Sequence, residues 1–178
     1  MACVQLNHAC RYEITGHTML PSALASAEIA NSISTLKNFM ESFPFVKRFG
    51  LTAHVAKMTA GWMREMTDAE IQHTITMFGE AAHRAVAAGF DMIELHGATG
   101  YLIAQFLSPR TNRRALPWGG SSDARMRYAL SILEEIRTRI PEGIPVGFRL
   151  ILDEKTENGI STDEAIKFAR RLSRMKIS

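Results

Sequence analysis

Asp91-Met92-Ile93-Glu94-Leu95-His96-Gly97-Ala98-Thr99-Gly100-Tyr101-Leu102 is the stretch that decides the fold. A half-apolar strand ends on a histidine and opens into a loop carrying two glycines and a tyrosine. Strand alternation puts Met92, Glu94 and His96 on one face and Ile93 and Leu95 on the other. Both faces are partly apolar, as expected of a parallel strand with helices packed against its sheet. A (β/α) barrel presents reactive side chains in this way, at the C-terminal end of a packed strand.

Outward from this strand the chain repeats strand and helix. Val4 to His8 reads as a short strand. Residues 12 to 60 are poorly periodic, with a helix expected over 25–39. Thr67 and Glu70 form a capping box, after which Ile71, Ile75, Phe78, Ala82 and Val86 trace one face at helical spacing. Gly89 ends that helix in a left-handed conformation. Residues 97–122 read as one long loop, a length that is usually functional. Ser122 caps a second helix with Met126, Leu130, Leu133, Ile136 and Ile140 on its stripe. Pro145 to Leu150 forms the next strand. Ser161 and Glu164 make a second capping box, and Ala165, Phe168, Ala169, Leu172 and Met175 line the last helix. Repeated βα units imply a parallel sheet with right-handed crossovers. A doubly wound sheet binding a dinucleotide is the rival, but it calls for G-x-G-x-x-G, which the sequence lacks. A closed barrel needs eight strands and typically about 250 residues, so the chain reads as an incomplete one, a single domain over residues 1–178.

Composition narrows the function classes. The 178 residues are 46% hydrophobic and 22% charged, with a net charge of +3, enough apolar material for one sizeable core. No run approaches the roughly 20 apolar residues of a membrane span, and no leader pattern opens the sequence, which makes the cytoplasm the default location. The basic residues gather in two short groups, Arg110, Arg113 and Arg114, then Arg170, Arg171 and Arg174. Neither is interleaved with aromatics, so nucleic acid is not the expected partner; the first group leaves room for a local anion site. Cys3 and Cys10 are the two cysteines, too few for a zinc site, and a disulfide between them is not expected in a reducing compartment.

Four side chains could carry chemistry. His96 could donate a hydrogen bond to a carbonyl or phenolate oxygen and stabilise charge developing there, or it could be satisfied by a nearby backbone carbonyl. Tyr101 keeps its proton at neutral pH and could protonate a strongly basic carbanion, or simply plug the mouth of the fold. Arg149 shares a face with Gly147, opposite Val146, Phe148 and Leu150. If buried, it needs a carbonyl or anionic partner: the oxygen edge of a bound flavin over the space left by Gly147, or an internal carboxylate such as Glu94. Gln5, on one face with Asn7, could read the edge of a heterocycle or belong to ordinary strand-end packing. Asp153, Glu154 and Glu157 read as solvated surface with no histidine companion for a metal.

Several of these residues sit in stretches that resemble the Old Yellow Enzyme group of NADH:flavin oxidoreductases, including its dienoyl-CoA reductase-like branch. The stretches are Gln5 to Tyr12, Phe78-Gly79-Glu80-Ala81-Ala82, Ala88-Gly89-Phe90-Asp91, and Gly147-Phe148-Arg149-Leu150. The most specific block runs from Glu94 through Gln105 to Arg114, then Trp118-Gly119-Gly120-Ser121 and Arg125-Met126-Arg127-Tyr128. The resemblance implies a TIM barrel, FMN, and NADH or NADPH as reductant. It implies hydride delivery to an activated alkene such as an α,β-unsaturated carbonyl, a small-molecule substrate. By the same resemblance Gln5 and Arg149 contact the flavin, His96 and Thr99 hold the substrate's activating oxygen, and Tyr101 is the proton donor. Thr99 departs from the family's usual histidine or asparagine, which implies a bulkier substrate, a water bridge or lost ene-reductase activity. Cys10 departs from a usual glycine. The chain then corresponds to about strands three to five of the barrel. The remaining strands, the FMN phosphate site and the iron–sulfur cysteines of the longer branch fall outside the matched segments. An enzyme segment is the first expectation. A non-catalytic partial barrel, self-associating or completed by a partner chain, is the second.

Overall fold

The computed structural model describes residues 1–9, 19–20 and 64–175. Its elements run β1 (Cys3–Leu6), β2 (Met19–Leu20), β3 (Arg64–Glu65), α1 (Asp68–Ala87), β4 (Met92–Gly97), α2 (Leu102–Leu107), α3 (Ser122–Arg139), β5 (Val146–Leu150) and α4 (Thr162–Leu172). The expected helix over 25–39 and Cys10 lie outside the described residues. Strands β1, β4 and β5 form one parallel sheet in that order. The small parallel pair of β2 and β3 was not expected from the sequence.

The first helix starts as its capping box dictates. Glu70 N–H donates to Thr67 Oγ1 at 3.2 Å, and Thr67 N–H donates to the Glu70 carboxylate at 2.8 Å. Arg64 also pairs with Glu70, and that pairing, with the two hydrogen bonds from Thr67, holds the Glu70 carboxyl down at about 2. The helix ends at Gly89, with φ +93°. Gly89 N–H donates to Val86 O and Phe90 N–H to Ala85 O, the paired bonds of a Schellman stop. Ile71, Ile75, Phe78 and Ala82 are buried, and Val86 is partly so.

The core lies on one side of the sheet. Ile93, Leu95 and Val146 are buried there against α1 and α3, with Ile132, Leu133 and Ile136 from α3. Gly97 permits a close approach: a Cβ on it would stand 2.3 Å from Phe148 Cε1. Phe148 in turn meets the Phe168 ring edge-on at 5.2 Å between centroids.

Four expectations about the helices need correction. The stretch 97–122 is not all loop, because residues 102–107 form α2. All six are buried, so the helix has no polar face and shows no amphipathic period to read. The cap of α3 is Ser121, not Ser122: Ala124 N–H donates to Ser121 Oγ at 3.2 Å. The second capping box is only half formed. Glu164 N–H donates to Ser161 Oγ at 3.3 Å, but the Glu164 carboxylate turns to Arg125 instead. On α4, Ala165, Phe168 and Leu172 are buried as expected, whereas Ala169 is exposed.

Arg125 fastens the region after α2. It is buried, with 6% of its surface exposed. Its Nε donates to Leu107 O at 2.9 Å, its Nη1 to Gly120 O at 3.1 Å, and its Nη2 to Glu164. Asn112 works beside it, donating to Phe106 O and Trp118 O, both at 2.7 Å. Arg114 reaches Met66 O at 2.7 Å and pairs with Glu65 and Asp68, so this member of the expected basic cluster is spent on structure. Glu154 also differs from its reading as solvated surface. It accepts from Ser108 Oγ at 2.6 Å and from Ile160 N–H at 2.7 Å, which joins the segment after α2 to the one after β5.

Candidate active site

Register places the chemistry-bearing residues. In a parallel sheet, paired residues point to the same face. Gln5 pairs with Glu94, Glu94 with Gly147, and His96 with Arg149. All therefore share the face turned away from the helix-packed core. On a barrel strand that face is the interior, and His96 and Arg149 stand toward its C-terminal end, where barrel active sites are built.

His96 is buried, with 5% of its surface exposed. Its Nε2 lies 3.0 Å from Thr99 Oγ1. Its ring meets that of Tyr101 at 4.9 Å between centroids, tilted by 58°. Burial holds the imidazole pKa below its ordinary value, and the charge of Arg149 pushes the same way against the opposing Glu94. Both effects favour the neutral form of the ring. Thr99 is exposed and takes a φ of +53°, unusual for a β-branched residue. That turn brings its hydroxyl back onto His96.

Tyr101 caps α2 with extended backbone. Tyr101 N–H donates to Ala98 O at 3.3 Å, and Leu102 N–H donates to His8 O at 3.2 Å. The second bond ties the end of β1 to the start of α2. Gln105, buried, donates to Gly100 O at 2.7 Å and steadies the same loop. Sequence reasoning did not single out Gln105, because a polar residue inside a wholly buried helix carries no periodic signal.

Two site residues stand differently from expectation. Arg149 is exposed, not buried, because the face it shares with His96 is uncovered in the described residues at that position. Its reading as a buried cation in need of a partner therefore fails. Gln5 is also exposed, and its Nε2 donates to Glu94, so the carboxylate beneath the site pairs with Gln5. The space over Gly147 is partly taken: a Cβ there would meet the Met92 methyl at 2.7 Å, a flexible end that can move aside. Among the described residues no group of three His, Cys, Asp or Glu side chains could hold a metal, and no helix is long and apolar enough to cross a membrane.

Comparison with known proteins bears on this arrangement directly. Residues 21–178 match the model of the NADH:flavin oxidoreductase / NADH oxidase family. NADH oxidase of Thermoanaerobacter brockii is 49% identical over 109 residues, 61% of this chain and 17% of that protein. An NADPH dehydrogenase of Clostridium acetobutylicum is 36% identical over 166 residues, 92% of this chain and 40% of that protein. Among solved structures, morphinone reductase in complex with tetrahydroNAD superposes with a TM-score of 0.58 at 31% identity, over 65% of this chain and 32% of that one. The 2-naphthoyl-CoA reductase complex gives 0.62 at 35% identity, over 64% and 17%. The chain thus spans less than half the length of these relatives. The three-stranded sheet with its helices is a section of the Old Yellow Enzyme-type TIM barrel. The chain belongs to the NADH:flavin oxidoreductase / NADH oxidase family.

Proposed function

We propose that residues 1–178 form part of the flavin-binding barrel domain of an FMN-dependent oxidoreductase that reduces activated alkenes with NADH or NADPH. The observation that carries this reading is the convergence of three residues: His96 and Tyr101 in ring contact, and Arg149 across the register from His96.

The residues fit a flavin on two counts. Gln5 and Arg149 lie uncovered on one sheet face, and an amide with a guanidinium suits the polar edge of a heterocycle. Gly147 offers no side chain between them apart from the movable Met92 methyl. When bound, the flavin would supply the hydride for the alkene's β-carbon. His96 and Thr99 would hold the activating oxygen of an α,β-unsaturated carbonyl and stabilise charge gathering on it. Tyr101 would deliver a proton to the α-carbon, a task for a group that stays protonated at neutral pH.

The substrate on this reading is a small molecule, with neither nucleic acid nor membrane as partner, and the setting is the cytoplasm. Strands β1 and β5 each leave one edge without a strand neighbour among the described residues, and exposed edges invite pairing. Further strands complete the barrel, whether from the same polypeptide, a second copy or a partner chain.

Rapid mixing of Tyr101→Phe separates the two half-reactions. Flavin reduction by NADH or NADPH should be nearly unchanged, while alkene reduction slows by about 100-fold or more. Equal slowing of both half-reactions would make Tyr101 structural and defeat its role as proton donor.

A further inference from the structure

Two connecting segments enclose one open groove of about 610 Å³. Pro109, Arg110 and Arg113 line it from the segment after α2, and Thr156, Glu157 and Asn158 from the segment after β5. None of these residues belongs to the site around His96. Each wall is closed by its own hydrogen bonds. On the first, Asn112 N–H donates to Ser108 O at 2.9 Å, Arg110 N–H to Ser108 Oγ at 3.3 Å, and Thr111 Oγ1 to Gln105 O at 2.7 Å. Arg113 Nε donates to Arg110 O at 3.2 Å, which keeps the two arginines side by side. On the second, Glu154 N–H donates to Ile160 O at 3.0 Å and Gly159 N–H to Thr156 O at 3.1 Å. Lys155 and Asn158 there take left-handed φ values of +52° and +54°. The bond from Ser108, which is wholly buried, to Glu154 pins one wall to the other.

The lining chemistry selects the ligand. A guanidinium is a planar fork of donors that matches two phosphate oxygens at once. Two such groups, both exposed, share the groove with a threonine hydroxyl and an asparagine amide, which also donate. Glu157 is the one acid in the lining, so two cations stand against one anion. Walls already held together spend less of the binding energy on ordering.

The groove also has a telling place. Glu154 follows Leu150, the last residue of β5, by four positions, at most about 14 Å of extended chain. The groove therefore opens at the end of the sheet where His96 and Arg149 stand. We propose that it is a phosphate subsite, in which Arg110 and Arg113 hold a phosphate or pyrophosphate group at the far end of an extended ligand. The subsite belongs to the chain itself. Its use by a ligand of the reductase, either the dinucleotide reductant or a phosphorylated alkene, rests on the function proposed above.

The test titrates inorganic pyrophosphate into the ¹⁵N-labelled 178-residue protein at low salt. Saturable shifts should centre on the amides of residues 108–113 and 154–159. Arg110→Gln with Arg113→Gln should weaken binding by about tenfold or more, the loss of charge-assisted hydrogen bonds, and Glu157→Gln should tighten it. Arg170→Gln with Arg171→Gln removes the same charge from α4 and should leave binding nearly unchanged. No saturable shifts at these amides, or equal weakening in the two double variants, overturns the subsite. A second measurement separates the two ligand sources. In flavin-loaded protein, competition by pyrophosphate against NADH during flavin reduction, lost in Arg110→Gln with Arg113→Gln, assigns the groove to the reductant. Absence of competition assigns it to a phosphorylated alkene. Failure to load flavin counts against the reductase reading, and the pyrophosphate titration then decides the subsite alone.

Discussion

Arg149 stands directly across the β4–β5 register from His96, on the same face of the sheet. Its charge and the burial of the ring both resist protonation of that imidazole, burial more strongly. Arg149→Met should therefore raise the His96 pKa part of the way back toward its ordinary value of about 6.5. An NMR titration of the His96 ring measures this, and an unmoved titration would mean that the two groups do not interact.

The same depression links folding to acid. The folded state resists the proton, while the unfolded state accepts it near pH 6.5. The contribution of His96 is therefore present in full above about pH 6.5 and is lost as pH falls from there toward the lower folded value. Urea midpoints measured at about pH 7.5 and about pH 5.5 should show this fall, and His96→Asn should reduce it. An equal fall in His96→Asn would place the acid sensitivity elsewhere.

Arg125 should matter more to stability than any exposed ion pair. It is buried and donates to two backbone carbonyls and Glu164. Arg125→Met strands a partly buried carboxylate and two carbonyls and should cost about 3 kcal/mol. Arg125→Lys should recover little, because an ammonium cannot reproduce a planar fork aimed at three acceptors. Urea unfolding gives both values; a loss near zero for Arg125→Met would show that these contacts are not made.

Gly97 and Phe148 form a tight pair at the end of β4. A Cβ on Gly97 would stand 2.3 Å from the Phe148 ring, so Gly97→Ala should destabilise by about 1–3 kcal/mol through overpacking. Adding Phe148→Leu should relieve part of that loss. Simple additivity of the two changes would mean that the ring does not limit the site.

What the sequence made legible was local or periodic. Thr67 with Glu70, and Gly89 after its helix, signal their ends within a few residues, and the structure has both. Alternation in β4 and β5 sorted Glu94 and His96 from Ile93 and Leu95, and Gly147 and Arg149 from Val146 and Phe148. The parallel register then brings His96 and Arg149 together. What escaped depends on distant partners. Glu164 leaves its capping box for Arg125, 39 residues away. Glu154 looks like one more surface acid until Ser108 arrives beside it. Helix α2 is buried on all sides, so its apolar run resembles neither a helix stripe nor a strand. The left-handed turn at Thr99 has no signature in a threonine, and with it the bond to His96 was hidden.

The claim that this sheet face receives an isoalloxazine is tested most directly by flavin binding. FMN titrated with the purified protein should lose fluorescence in a saturable way, and the bound flavin should bleach on anaerobic addition of NADH or NADPH. Arg149→Ala should weaken binding by about tenfold or more, as expected for a charge-assisted hydrogen bond at the ring edge. No saturable quenching, or equal affinity in the parent protein and Arg149→Ala, would contradict the account.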